Sequence, residues 1–403
     1  MRSHLLKLCT IIVAVLFSGC PPKTEVAGGG GGNGAVTGGD ILIGEYGSLT
    51  GGQATFGTST HQAIIMAMDE INAAGGVNGR KIKVLTEDDE SKTEEAANAV
   101  TKLISQNNVL AILGEVASSC SLAAAPICQS NKVPMITPSS TNPEVTKKGD
   151  YIFRTCFTDD YQGENIARYA ATQLHYKTAA ILTDVKNDYS TGLTTTIDRV
   201  FTSLGGKIIA KQSYANLDSD FRSQLTAIRA ANPEVIFVPG YYTDVGQIAI
   251  QARDLGMKQP LMGGDGWESP KLIEIGGKAL EGCMYTNHYF YGDPNPMVHN
   301  FVQKYKERYG SIPDGMAALG YDAARDLADA IKRAKKLDGP SLRDAIAATK
   351  SFQGVTGTIT LGPDRDAVGK KIVIEEVKNG QLTLKATIEP SAGGTATPAT
   401  ATH

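Results

Sequence analysis

From residue 40 to residue 389 the apolar positions change period repeatedly, as they do where β-strands alternate with α-helices. Residues 41–46 predict a strand. In 60–73, Ile64, Ala67, Met68 and Ile71 share one face at helical spacing, and Asn78-Gly79 turns the chain into a strand at 81–86. Ser91 and Glu94 form a capping-box pattern, opening a helix whose buried stripe is Ala96, Val100, Leu103 and Ile104. That helix leads into 109–113, a continuous apolar run of the kind seen in strands buried on both faces. The rhythm goes on with strands at 133–136, 179–183, 207–211, 234–238 and 261–263, and helices at 161–176, 191–204, 221–231 and 245–255. Helices at 296–309, 316–336 and 341–349 follow, and strand-like segments at 358–361, 372–377 and 381–388 close the chain. A single core seldom grows past about 250 to 300 residues, so two successive runs of β/α units predict two doubly wound parallel-sheet lobes.

The ends follow other rules. Arg2 and Lys7, the apolar stretch 8–17 and the small residues Ser18 and Gly19 ahead of Cys20 have the layout of an export signal over 1–19. The apolar stretch is shorter than the roughly 20 residues a spanning helix needs. Pro-Pro and a run of glycines make 20–39 read as a flexible tether, and 390–403 is an Ala/Thr/Gly/Pro-rich disordered tail by composition. Gly29, Gly31 and Gly34 match G-x-G-x-x-G, but no strand precedes them and no helix follows, so no dinucleotide cofactor is expected. With 39 Lys+Arg against 42 Asp+Glu, the chain has no basic excess to release counterions from a nucleic acid.

Beyond the signal and Cys20, the cysteines are Cys120, Cys128, Cys156 and Cys283, none in a C-x-x-C pair, so metal-ligand spacing is missing. An exported chain could oxidise two of them; Cys120, Cys128 and Cys156 form the pool for one disulfide, and the sequence does not choose among them. H-E-x-x-H and G-x-S-x-G are missing, and Gly277-Lys278 is followed by Ala279 instead of the P-loop Ser or Thr. His61, His175, His288 and His299 are scattered and read as surface or core histidines. No enzyme activity and no cofactor is expected.

Open α/β sheets bind ligands outside the carboxyl ends of their strands, so the residues after each strand carry the functional evidence. They are polar and small. After 109–113 comes Gly114-Glu115-Val116-Ala117-Ser118-Ser119-Cys120-Ser121, opening a helix whose N–H groups and hydroxyls suit a carboxylate. After 133–136 comes Thr137-Pro138-Ser139-Ser140-Thr141, and after 261–263 comes Asp265. In the second run the strand ends carry Asp184 with Tyr189, and Tyr241-Tyr242.

These segments, with Asp69-Glu70-Ile71-Asn72-Ala73-Ala74-Gly75-Gly76-Val77-Asn78-Gly79, Asp88-Asp89 and Gly246-Gln247, resemble the leucine/isoleucine/valine-binding type of solute receptor that serves bacterial ATP-driven importers. The resemblance runs from about residue 41 to residue 377. It implies two lobes joined by three crossing strands, with boundaries at 40–158 plus 288–368 and 159–287 plus 369–389, closing over a free amino acid. Ser118 and Thr141 fall on the family's α-carboxylate positions, within the hydroxyl clusters that include Ser119 and Ser140. The backbone at Ser139 falls where the ammonium is accepted, and Asp265 where the family places its acidic partner, usually a glutamate. Tyr189 and Tyr241 occupy aromatic positions of the second lobe; Phe56 stands where leucine-specific members have a tyrosine, and Met316 near a pocket position where they have an aromatic.

The resemblance further implies a permease and an ATPase as partners. Cys20 after Ser-Gly resembles a lipoprotein signal, implying acyl attachment to a bacterial membrane facing the periplasm or cell exterior; ordinary cleavage beside an incidental cysteine is the alternative. A sensory or regulatory receptor for a small amide, urea or amino acid would share the same fold.

Overall fold

The computed structural model describes residues 39–215, 218–390 and 400–401. The export signal at 1–19, Cys20 and nearly all of the glycine-rich tether lie outside the described residues. Among the described residues no helix is long and apolar enough to cross a membrane.

The strands form two main sheets. The first contains β1 (Ile41–Gly47), β2 (Ile82–Asp88), β3 (Ala111–Leu113), β4 (Met135–Thr137) and β5 (Ile152–Arg154), all parallel, in the order β2-β1-β3-β4-β5. The second begins with β6 (Thr178–Asp184), β7 (Lys207–Tyr214), β8 (Val235–Phe237), β9 (Leu261–Gly263) and β10 (Met284–Asn287), parallel and in the equivalent order β7-β6-β8-β9-β10. A hairpin, β11 (Phe352–Gly354) and β12 (Gly357–Ile359), stands apart. Then β13 (Ile372–Lys378) and β14 (Gln381–Ile388) add to the second sheet antiparallel, with a two-residue strand β15 (Thr400–Ala401) at the β14 edge. The protein is therefore a mixed α/β chain with a parallel-stranded sheet in each of two lobes. The strands pass from the first sheet to the second after Arg154; the chain leaves the second sheet after Asn287, forms the hairpin, and rejoins the second sheet at Ile372.

Eleven helices are described: α1 (Ala54–Ala73), α2 (Thr93–Ser105), α3 (Ser118–Asn131), α4 (Asp159–Arg168), α5 (Asp188–Ser203), α6 (Arg222–Ala231), α7 (Tyr242–Asp254), α8 (Pro270–Gly276), α9 (Pro296–Tyr309), α10 (Gly315–Arg333) and α11 (Gly339–Ala347). The side-chain alternation within the strands explains the continuous apolar runs. Ile41, Ile43, Ala111 and Leu113 pack with Ile64 of α1 and Leu327 of α10, whereas Ile112, Met135 and Ile152 pack with Val100 of α2 and Ala124 of α3. Each face of the first sheet thus has its own helical cover, and no position along a strand needs to be polar.

Several sequence expectations shift. Ser91 does not cap α2: its φ is +61°, and its hydroxyl donates to Thr50 O at 3.0 Å and accepts from Gln53 N at 3.1 Å, tying the loops after β1 and β2 together. The helix begins at Thr93 instead. The helix at 161–176 ends sooner, passing into a π-turn at Tyr169–Gln173. Strands β5 and β10, three and four residues long, went unread. Cys120, Cys128, Cys156 and Cys283 are all buried free thiols, so the expected disulfide does not form among them.

One buried cation ties the first sheet to the loop after β4. Arg154, at the end of β5, is fully buried; its Nη1 donates to Ser140 O at 2.5 Å, its Nε to Asp366 Oδ1 at 2.7 Å and its Nη2 to Thr146 Oγ1 at 3.1 Å. Replacing it with Met leaves those acceptors without their donor. Arg154→Met is expected to lower stability by about 3 kcal/mol, read as a drop in the urea midpoint; an unchanged midpoint would contradict the role given to this residue.

Candidate functional site

The strand order decides where a site forms. In a sheet wound 2-1-3-4-5, connections leave the two central neighbours toward opposite faces and open a crevice at their carboxyl ends. Both sheets are wound this way, and residues after β3 and β4 in one lobe meet residues after β8 and β9 in the other around a single cavity. It is narrow and is lined by Phe56, Val116, Ser139, Thr141, Tyr189, Tyr241, Asp265, Gly266 and Met316.

Helix caps set several of these side chains. Asn187 Oδ1 accepts from Tyr189 N at 3.0 Å, opening α5 with Tyr189 in its first turn. Asp314 Oδ1 accepts from Ala317 N at 2.8 Å, which does the same for Met316 on α10. Thr158 caps α4, so Asp159 and Gln162 stand at the cavity end of that helix. Helix α3 differs from these: its N-cap is Ala117, with no side-chain cap, leaving first-turn N–H groups for a ligand anion. Gly264 is required by close approach, since a Cβ there would come within 2.6 Å of Tyr189 Oη and 2.7 Å of Gln162 Oε1.

Asp265 is the acidic centre. It is 2% exposed, and its carboxylate accepts from Gln162 Nε2 at 2.8 Å on Oδ1 and lies 2.9 Å from His288 Nε2 on Oδ2. A carboxylate only accepts, so His288 carries its hydrogen on Nε2. The imidazole is fully buried and stacks on Phe157 at 3.6 Å; burial holds its pKa below the usual imidazole value, against the pull of Asp265. Gln162 Nε2 also reaches Asp159 Oδ1 at 2.9 Å. Burial, then the charge of Asp265, pushes the Asp159 carboxyl up to about 8. On the same side, the Gly266 N–H donates to Tyr189 Oη at 3.0 Å.

The aromatic wall crosses the cleft. Tyr189 and Tyr241 stack at 5.3 Å with a 7° interplanar angle, and Phe56 meets Tyr241 edge-on at 5.5 Å. Direct bonds join the lobes around it: Thr55 Oγ1 to Tyr242 Oη at 2.8 Å, Ser119 Oγ to Asp188 Oδ2 at 2.7 Å, and Asn142 Nδ2 to Asp188 O at 2.7 Å.

Of the residues singled out in the sequence, Phe56, Ser139, Thr141, Tyr189, Tyr241, Asp265 and Met316 come together at the cavity. Ser118 lies beside it, buried, with Oγ accepting from Asn142 N at 3.2 Å. Ser119 instead spans the lobes at Asp188, and Ser140 is a buried support whose Oγ donates within the Glu115–Ser121 turn, 2.7 Å from Ser121 Oγ. Gln162, His288, Asp159 and Val116 are further residues of this region. The Asp159–Gln162 pair in the first turn after a Thr cap was a legible signal; His288 was hidden because β10, which delivers it, was not read.

Two sheets of equivalent winding with a polar cavity between their carboxyl ends define a two-lobed solute-binding protein. The chain belongs to the periplasmic binding protein family, whose model matches residues 40–381, and is of the leucine/isoleucine/valine-binding kind. It is similar to a leucine binding protein, LivK, of Thermotoga maritima: 41% identity, TM-score 0.84, covering 87% of this chain and 99% of that one. It is also similar to the branched-chain amino acid transporter substrate binding protein LivJ of Streptococcus pneumoniae in complex with isoleucine, at 32% identity and TM-score 0.82, covering 87% and 100%. A Pseudomonas aeruginosa amino acid binding protein is 31% identical over 73% of this chain and 79% of its own length.

Asp159 gives the site a pH signature. Between the ordinary carboxylate range and about 8, the folded protein keeps a proton there that the unfolded chain has released, so this group's contribution to stability falls as pH rises. Asp159→Asn cannot titrate. Relative to the parent protein, its melting temperature is expected to climb as pH goes from about 5 to about 8; a constant difference across that range would contradict the raised value.

Proposed function

We propose that this protein is the extracytoplasmic solute-binding component of an ABC importer, and that it captures a free amino acid with a branched-chain or other apolar side chain. The observation that carries the reading is the convergence of Ser139 and Thr141 from one lobe with Asp265 from the other on one small cavity. A free amino acid bears a cation and an anion on neighbouring atoms, and burying either without a partner costs several kcal/mol. The Thr141 hydroxyl and the uncapped N-terminus of α3, with Ser118, suit the α-carboxylate. Asp265 suits the ammonium: Gln162 and His288 use one lone pair on each oxygen and leave others to accept. Phe56, Val116, Met316 and the stacked tyrosines then offer an apolar box to the side chain.

Binding would proceed by hinge closure. The ligand needs groups from both lobes, so its contacts are complete only when the lobes meet, and this differential affinity draws the population toward the closed form. The interlobe bonds at Tyr242 and Asp188 would then contribute to the surface a permease recognises. Lipid attachment at Cys20, after removal of residues 1–19, would hold the protein at the membrane beside that permease and its ATPase. No catalytic step is assigned.

Titration calorimetry on the purified protein across the standard amino acids tests this reading. An apolar amino acid is expected to bind, and Asp265→Ala and Thr141→Ala are each expected to cost about 2–5 kcal/mol of binding free energy while the fold persists. Unchanged affinity in both variants would refute the assigned clamp.

A further inference from the structure

One group of potential metal ligands stands out among the described residues, and none of its members lines the ligand cavity. Asp89, Glu115 and Cys120 each bring a ligand atom within 4.8 Å of the other two. All are buried, with exposures of 0%, 1% and 3%. They come from three segments: the residue after β2, the loop after β3 and the first turn of α3. Such a set has no sequence spacing to reveal it, which is why the cysteine pattern gave no metal signal.

Local bonds from neutral donors hold the two carboxyl groups in place. Ser48 Oγ donates to Asp89 Oδ1 at 2.8 Å, and the Ser48 N–H donates to Glu115 Oε1 at 3.1 Å. The Ser91 N–H donates to Asp89 Oδ1 at 3.0 Å, and the Ala117 N–H to Glu115 Oε2. Asp89 Oδ2, by contrast, is buried with no hydrogen-bond partner among the described residues. The charges acting on the pair are acidic: Asp88 on Asp89, and Asp89 on Glu115.

A buried carboxylate oxygen with no hydrogen-bond partner is satisfied when it coordinates a metal ion. Two carboxylates and a thiol suit a borderline ion such as zinc, which accepts both oxygen and thiolate, whereas magnesium and calcium take oxygen ligands. We propose that Asp89, Glu115 and Cys120 bind one divalent transition-metal ion of the zinc type, with Asp89 Oδ2 and Cys120 Sγ as its principal ligand atoms. As the metal–sulfur bond forms, the thiol proton passes to solvent. Cys120 also lines a groove between the lobes together with Ser119, Asn187 and Tyr241, which gives the ion a route in. The inference does not depend on which amino acid the cavity takes.

Cobalt(II) is the probe, because a cobalt–thiolate bond absorbs where cobalt–oxygen and cobalt–imidazole bonds do not. Metal-free purified protein is expected to take up one equivalent with a thiolate-to-cobalt charge-transfer band, to lose the band when one equivalent of zinc is added, and to melt at higher temperature with zinc. Cys120→Ser is expected to abolish the band, and Asp89→Asn to weaken cobalt binding by more than about a hundredfold, beyond the usual loss of an outer-shell partner. Asp89→Asn removes a buried like charge and is expected to fold without metal, which keeps the test decisive if Cys120→Ser does not fold. No charge-transfer band in the parent protein, or one that persists in Cys120→Ser, or affinity unchanged in Asp89→Asn, would overturn the proposal.

Discussion

A carboxylate with almost no access to water sits at the centre of this molecule. Asp265 is held by the neutral donors Gln162 and His288, and no lysine or arginine pairs with it among the described residues. An acidic group so placed is oriented but not neutralised, and a partner cation is worth most where water is excluded. Much of the surrounding architecture follows from that condition. The donors come from α4 and from the residue after β10, so the second lobe must be folded before the group is aimed. The groups that would answer a ligand's opposite charge stand on the other lobe, so the two must close to complete the site.

The parallel winding makes this arrangement economical. Equivalent strand order in both sheets puts two crevices at corresponding carboxyl edges, and the helices that follow begin at the cavity. Capped helices deliver the side chains Tyr189 and Met316, whereas α3, which has no side-chain cap, presents backbone N–H groups. Arg154 extends the same logic outward, since its bond to Ser140 O fixes the segment that carries Ser139 and Thr141. The polar lining is thus supported by buried partners, as a preorganised site requires.

How much of this was legible in the sequence depended on length and locality. Long periodic elements were read nearly as they stand: the helix at 296–309 coincides with α9, and the strand at 381–388 with β14. Strand β5 offers only Ile152 and Phe153 as an apolar signal before Arg154, and Ser91 was misread because its hydroxyl serves a loop contact distant in sequence and not the helix it precedes. Within the site, residues at strand ends were found by position, Asp265 and Thr141 among them. The partners that orient them were not: Gln162 and His288 are 103 and 23 residues from Asp265 in sequence, and only folding reveals that they share an acceptor. Equally, composition could not separate Ser139, which lines the cavity, from Ser140, whose hydroxyl turns inward to Ser121.

If opposite charges on one small molecule are what draw the lobes together, both must be present on it. The most direct measurement is calorimetric titration of the parent protein with the amino acid it binds best, beside the same compound acetylated at nitrogen and the same compound amidated at carbon. The account requires saturable binding of the free amino acid and loss of nearly all affinity for each blocked form. Comparable affinity for either blocked form would contradict it.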